Sequence, residues 1–220
     1  MIIKLEEVTK KYENSGDSIN VLNNISLSVN KGEIITIFGH SGVGKSTLLD
    51  IIGGILYPDK GSVLIKGKLL TNVNGPFIRK KIISSLFQKD NLLPELNIVD
   101  NLLLPLIINN LDNNKSISKV NEALSLLKME KFKYRYPNQI SRGEYQRISL
   151  LRCMINNPEV IIADEPTANL DENNCEQLLD LIVKLNKELG ITFIIATHDK
   201  RFMKVCNKVY EIFNGDLILK

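Results

Sequence analysis

The sequence predicts an α/β protein built on a parallel sheet, with a helical segment inserted into that core. Three observations carry that reading. Ile34 to Phe38, Val160 to Ala163 and Thr192 to Ala196 are short unbroken apolar runs, the pattern of strands buried on both faces. Between the last two, Glu172 to Leu189 places Leu178, Leu179, Leu181, Ile182 and Leu185 along a helical stripe, and strand, helix, strand in that order implies parallel pairing. The stretch from about 95 to 155 is leucine-rich with helical patterning and holds no convincing buried strand.

Taken in order, the chain opens on two strands, Ile2 to Tyr12 and Val21 to Val29, in which β-branched and polar residues alternate. Lys31-Gly32-Glu33 turns the chain into the run Ile34 to Phe38, and a helix is expected over Ser46 to Ile55. Residues 95–155 form the inserted helical subdomain, punctuated by Pro105, Asn109 to Asn114 and Pro137. Residues 1–94 and 156–220 then form the catalytic core. The end reads as a hairpin, Tyr210 to Phe213 and Leu217 to Leu219 joined by Asn214-Gly215. With no internal repeat and no Pro/Gly/Ser linker, residues 1–220 read as a single unit.

Composition excludes several classes. At 220 residues, 44 % hydrophobic and 24 % charged, the chain needs no disulfide or metal to hold a core. Its 28 basic and 25 acidic residues leave +3, too slight and too scattered for a nucleic-acid footprint. Cys153, Cys175 and Cys206 include no C-x-x-C pair and read as small buried hydrophobes in a reducing compartment. Glu6 and Glu7 stand where a signal peptide would be apolar, and the most apolar window, Leu102 to Ile108, is far shorter than the roughly 20 residues of a membrane span. A soluble intracellular protein with no nucleic-acid partner is expected.

The chemistry starts at Gly39-His40-Ser41-Gly42-Val43-Gly44-Lys45-Ser46, which fits G-x-x-x-x-G-K-[ST] between an apolar strand and a helix. The glycines let consecutive backbone N–H groups face phosphate oxygens, and the helix start adds partial positive charge. Lys45 would reach the β- and γ-phosphates and the Ser46 hydroxyl would bind Mg²⁺. Val160-Ile161-Ile162-Ala163 places Asp164 at the C-terminal edge of a buried strand, where ligands of open α/β sheets bind. Mg²⁺ shared with Ser46 is the natural partner for an acid there. Glu165, next in line, can take a proton from a water attacking the γ-phosphate. His198 and Gln88 each follow an apolar run, and alone neither would point to function.

The ordered set of Tyr12, Gly39 to Thr47, Gln88, Ser141-Arg142-Gly143-Glu144, Asp164-Glu165, Asp171 and His198 resembles the nucleotide-binding domain of ABC transporters over the whole chain. Ile140 to Arg147 looks like that family's signature peptide. The resemblance implies a P-loop NTPase (RecA-like) core with an N-terminal antiparallel β subdomain, and a transport-coupled ATPase using ATP and Mg²⁺. It implies that Tyr12 stacks on adenine, that Gln88 touches Mg²⁺ and the attacking water, and that His198 contacts the γ-phosphate and positions Glu165. It also implies a head-to-tail homodimer in which Ser141, Gly143, Glu144 and Asp171 approach the ATP of the other subunit. Integral membrane permease subunits would dock at the helical subdomain and the Gln88 loop, on the cytoplasmic face of the membrane.

The sequence departs from the family at Arg142, where the signature usually has glycine. A position that needs only backbone contact tolerates arginine; one that needs positive φ or close approach does not. Leu92-Leu93-Pro94, followed by Asn101 to Leu106, resembles the lipoprotein-releasing (LolD-type), macrolide-export (MacB-type) and cell-division (FtsE-type) group. The chain also stops soon after the terminal hairpin, as proteins of that group do. The expectation is therefore lipoprotein release or macrolide export, with an FtsE-like regulatory ATPase that carries no solute as the alternative.

Overall fold

The computed structural model describes residues 1–14, 17–88 and 91–220. Its centre is a six-stranded sheet of β3 (Ile34–Phe38), β6 (Ile83–Leu86), β7 (Val160–Asp164), β8 (Thr192–Ala196), β9 (Lys208–Phe213) and β10 (Asp216–Leu219), in the order β10-β9-β3-β8-β7-β6. All pairings are parallel except β9–β10. That exception is the terminal hairpin, whose Asn214 (φ 49°) and Gly215 (φ 85°) supply the two positive φ values a tight two-residue turn needs. A second, antiparallel sheet takes β1 (Ile3–Asn14), β2 (Asp17–Val29), β4 (Lys60–Ile65) and β5 (Lys68–Leu69) in the order β2-β1-β4-β5.

Two hydrophobic layers explain why the central strands are apolar throughout. Ile161, Ala163, Phe193 and Ile195 face one cluster, which they share with α3 (Ile98–Ile108), α4 (Asn113–Leu126), α5 (Arg142–Met154) and α6 (Glu172–Leu189). Val160, Ile162, Ile194 and Ala196 face the other, shared with α1 (Lys45–Ile52) and the antiparallel sheet. Successive side chains of a strand point to opposite faces, so a strand between two layers must be apolar at every position. Burying one such Ile or Phe contributes about 1.5–3 kcal/mol.

The structure corrects the sequence reading in three places. Pro105 does not punctuate the helical segment but lies inside α3. The missing N–H removes one backbone hydrogen bond, while Ile98, Leu102 and Leu106 keep the helix buried on the core. The helix expected to Ile55 stops at Ile52, where Gly53 and the left-handed Gly54 (φ 66°) end it. β4, β5 and the short α2 (Gly75–Lys81) carry no pattern the sequence reading used, whereas β6 falls in the apolar run before Gln88. Cys153 and Cys175 are buried as expected, and Cys206 is partly exposed. No helix among the described residues is long and apolar enough to cross a membrane.

Candidate active site

Four adjacent strands, β3, β8, β7 and β6, deliver their C-terminal ends to one cleft. β3 runs into the Gly39 loop, β7 ends at Asp164, β8 leads to Thr197 and His198, and β6 leads to Gln88. The cleft holds about 350 Å³ and is lined by Ser41, Gly42, Gly44 to Thr47, Gln88, Asp164, Glu165 and His198, with Val21 reaching in from β2. Chain segments far apart in sequence are therefore brought together by strand order alone.

The loop folds over the start of α1. Gly44 adopts φ 106°, and a Cβ there would come within 2.8 Å of the Val21 side chain and 3.0 Å of its carbonyl, so both conformation and space demand glycine. Lys45 is 6 % exposed. Its Nζ donates to the carbonyls of Gly39 (2.7 Å) and His40 (3.1 Å) and lies 3.3 Å from Glu165 Oε1. Ser46 Oγ donates to Asp164 Oδ2 at 2.6 Å. Burial raises the Asp164 carboxyl, the Ser46 hydrogen bond opposes that, and the neighbouring Glu165 charge adds to the rise. Asp50, on α1, is raised by burial and by Asp164.

Glu165 sits in a strained backbone position, φ 46° without being glycine. Its N–H donates to the Ala196 carbonyl at 2.8 Å, which ties this turn to the end of β8. One carboxylate oxygen, Oε2, faces Nδ1 of His198 (2.9 Å), the His198 backbone N–H (3.4 Å) and Thr197 Oγ1 (3.2 Å). The other, Oε1, faces Lys45. Burial pushes the carboxyl up, but His198 and then Lys45 outweigh it and hold the group below the ordinary 4.5. Glu165 is thus an ionised carboxylate at neutral pH, aimed into the cleft.

The remaining expected residues lie elsewhere. Tyr12, on β1, is 44 % exposed and does not line the cleft. Ser141 and Glu144 form a reciprocal cap at the start of α5: the Ser141 N–H donates to Glu144 Oε2 at 2.8 Å and the Glu144 N–H to Ser141 Oγ at 3.3 Å. Asp171 caps α6 by accepting from the Asn174 N–H at 2.8 Å. Arg142 is exposed in ordinary helical backbone, whereas at Gly143 a Cβ would collide with Asn174. Within this chain the close contact therefore falls at 143, and Arg142 takes helical backbone that needs no glycine. Thr197, Val21 and Asp50 were missed from the sequence; only Thr197, placed between a buried strand and His198, offered a signal.

Comparison with known proteins agrees with this geometry. The ABC transporter family model matches residues 22–168. The lipoprotein-releasing system ATP-binding protein LolD of Blochmanniella floridana is 39 % identical over 98 % of this chain and 93 % of that protein. The methionine import ATP-binding protein MetN of Bacillus subtilis (strain 168) is 37 % identical over 99 % of this chain, which spans 64 % of that longer protein. A dimeric bacterial ABC transporter cassette superposes with TM-score 0.90 at 35 % identity, covering 98 % of this chain and 96 % of the other. A dimeric post-hydrolysis state of the same cassette, bound to ADP and Pi, gives 0.91 at 33 %, covering 100 % and 98 %. The chain belongs to the ABC transporter family, as an ATP-binding cassette that hydrolyses ATP.

Proposed function

We propose that this cassette binds ATP with Mg²⁺ on the Gly39 to Thr47 loop, closes head to tail on a second copy, and powers a separately encoded membrane complex from the cytoplasmic face. The observation that carries the reading is the meeting of Asp164, Glu165 and His198 at neighbouring strand ends with Lys45 and Ser46 at the start of α1. Lys45 exchanges its carbonyl partners for the β- and γ-phosphate oxygens, a charge-assisted contact. Tyr12 stacks on the adenine.

The donor set suits Mg²⁺. Ser46 and Asp164 offer hard oxygens at 2.6 Å from each other, and Gln88 opens on the same cleft. Mg²⁺ would take one or two protein oxygens there and complete its shell with phosphate and water. Such an ion neutralises charge on the phosphates. Glu165 accepts the proton of the attacking water as the water oxygen bonds to the γ-phosphorus and the bond to the β–γ bridging oxygen breaks, leaving ADP and phosphate. His198 holds Glu165 in place and reaches the γ-phosphate. Ser141, Gly143, Glu144 and Asp171 approach the nucleotide of the partner subunit.

Residues 95–155 form the helical subdomain on which permease subunits dock. A cleft of about 370 Å³ between that region and the core supports this, since Phe87 and Asn91 beside the Gln88 loop line it together with Pro105, Asn109 and Arg152. The cargo class proposed is lipoprotein release or a related export, supported by the 39 % identity to LolD over nearly the full length of both chains. Import is the second reading, favoured by the 37 % identity to MetN.

Affinity purification of the Glu165→Gln variant from detergent-solubilised membranes with Mg-ATP separates the two. A partner with few membrane spans and a large extracytoplasmic domain supports the release reading. A permease with many spans and a solute receptor establishes import instead.

A further inference from the structure

Two helix starts distant in sequence meet at one side chain. Asn174, in the first turn of α6, lays its carboxamide on Gly143 in the first turn of α5. A Cβ on Gly143 would lie 1.9 Å from Asn174 Oδ1 and 2.3 Å from its Cγ, so any larger residue would push the carboxamide off this seat. The same carboxamide donates through Nδ2 to Asp171 Oδ2 at 2.7 Å, while the Asn174 backbone N–H donates to Asp171 Oδ1 at 2.8 Å. Its Oδ1 accepts from Arg147 Nη1 at 3.2 Å, and that guanidinium also donates to Gln177 at 2.8 Å.

Capping α6 requires only one backbone N–H bonded to Asp171. The second bond, from Nδ2, goes beyond capping: it fixes the rotation of the carboxylate. Because the donor is wedged on the α5 backbone and tethered to Arg147, the orientation of Asp171 is set by where α5 begins. We propose that Asn174 is a positioning residue that locks the Ser141–Gly143 start of α5 and Asp171 into one register, so that both reach the partner subunit as a single preformed surface. This rests on the head-to-tail dimer proposed above. A surface ordered beforehand loses less freedom on association, so the effect falls on dimer formation and leaves nucleotide binding within one chain untouched.

The test uses the full chain carrying Glu165→Gln, with Mg-ATP-induced dimerisation read by sedimentation and ATP affinity read on the monomer. Asn174→Ala weakens the dimer about tenfold, in line with losing two hydrogen bonds, and leaves monomer affinity within about twofold. Asn174→Asp keeps the shape and the Arg147 contact but sets a carboxylate against Asp171, and weakens the dimer at least as much. In the otherwise unmodified enzyme, Asn174→Ala lowers ATP turnover at low protein concentration and recovers it at high concentration, with KM for ATP unchanged.

Gly143→Ala is the independent check. Alone it displaces the carboxamide from α5; combined with Asn174→Ala there is nothing left to displace, so the two changes cost less together than their sum. Additive effects, or a wild-type dimer constant for Asn174→Ala, overturn the proposal. Ser141→Ala and Asp171→Ala distinguish the source of failure. If they weaken the dimer while Asn174→Ala does not, the positioning role alone is wrong; if they also leave the dimer intact, the dimeric reading falls and takes this one with it.

Discussion

The two halves of the candidate site are built differently. The phosphate cleft is lined within one chain: Asp164, Glu165 and His198 come from the ends of parallel strands, Lys45 and Ser46 from the start of α1, and they already pair with one another. The Ser141 and Asp171 segments are helix starts that do not line that cleft, and their polar atoms are satisfied by their own first turns. In the first half Lys45 is buried and two half-buried neighbouring carboxyls are pushed in opposite directions, Asp164 up and Glu165 down, a condition suited to chemistry. In the second half they are exposed and preformed, the condition for meeting a partner. In the proposed dimer a single chain carries the reacting groups, and a second copy brings the remaining contacts to them.

The largest expected effect breaks the first half alone. Glu165→Gln removes the proton acceptor but keeps shape and hydrogen bonding, so ATP turnover falls by about two to four orders of magnitude. ATP still binds, and the bound state persists as a dimer. Turnover above a tenth of the unmodified rate would show that Glu165 is not the base.

His198→Ala acts one step back, through Glu165. Its loss removes the largest of the effects holding the Glu165 carboxyl below 4.5, so that group rises, with Lys45 left to oppose burial. Catalysis needs the ionised carboxylate, so the acid limb of the rate profile moves to higher pH in the variant. At neutral pH the rate falls by about tenfold to a hundredfold, as for a lost hydrogen bond to a charged group. Linkage gives the same sign for stability. A depressed folded pKa contributes stability above the unfolded value and loses it as pH falls through the folded value, so the variant is less stable near neutrality and the difference shrinks in acid. A rate profile with an unmoved acid limb would detach His198 from Glu165.

Much of this was legible in the sequence because it rested on period and spacing. The runs at 34–38 and 192–196 and the helix Glu172–Leu189 fall where the pattern put them, since two-sided burial leaves no freedom in composition. The phosphate loop was legible because glycine, lysine and serine at that spacing have few other uses. What the sequence hid was set by tertiary placement. β5 has two residues and α2 seven, too few to show a period. Pro105 was misread because local propensity gave way to the burial of Leu102 and Leu106. The positive φ of Glu165 and the contact of Asn174 with Gly143 depend on neighbours distant in the chain, and no local window contains them.

The smallest effect sharpens the comparison most, because Ser141 serves both as a cap and as a proposed contact with the partner's nucleotide. Ser141→Ala removes the cap acceptor, at a cost of about 1 kcal/mol and thus about 3 °C in melting temperature for a chain of this size. A weakened dimer in that variant could come from either role. Ser141→Asp separates them. Aspartate caps as well as serine and its charge suits a helix start, so the melting temperature holds or rises. At a phosphate-facing position the same charge repels ATP, so the dimer should be lost while ATP affinity of the monomer stays the same. A Ser141→Asp chain that is as stable as the unmodified one and dimerises equally well would leave Ser141 as a cap alone, and the second half of the site would then have to be sought away from the start of α5.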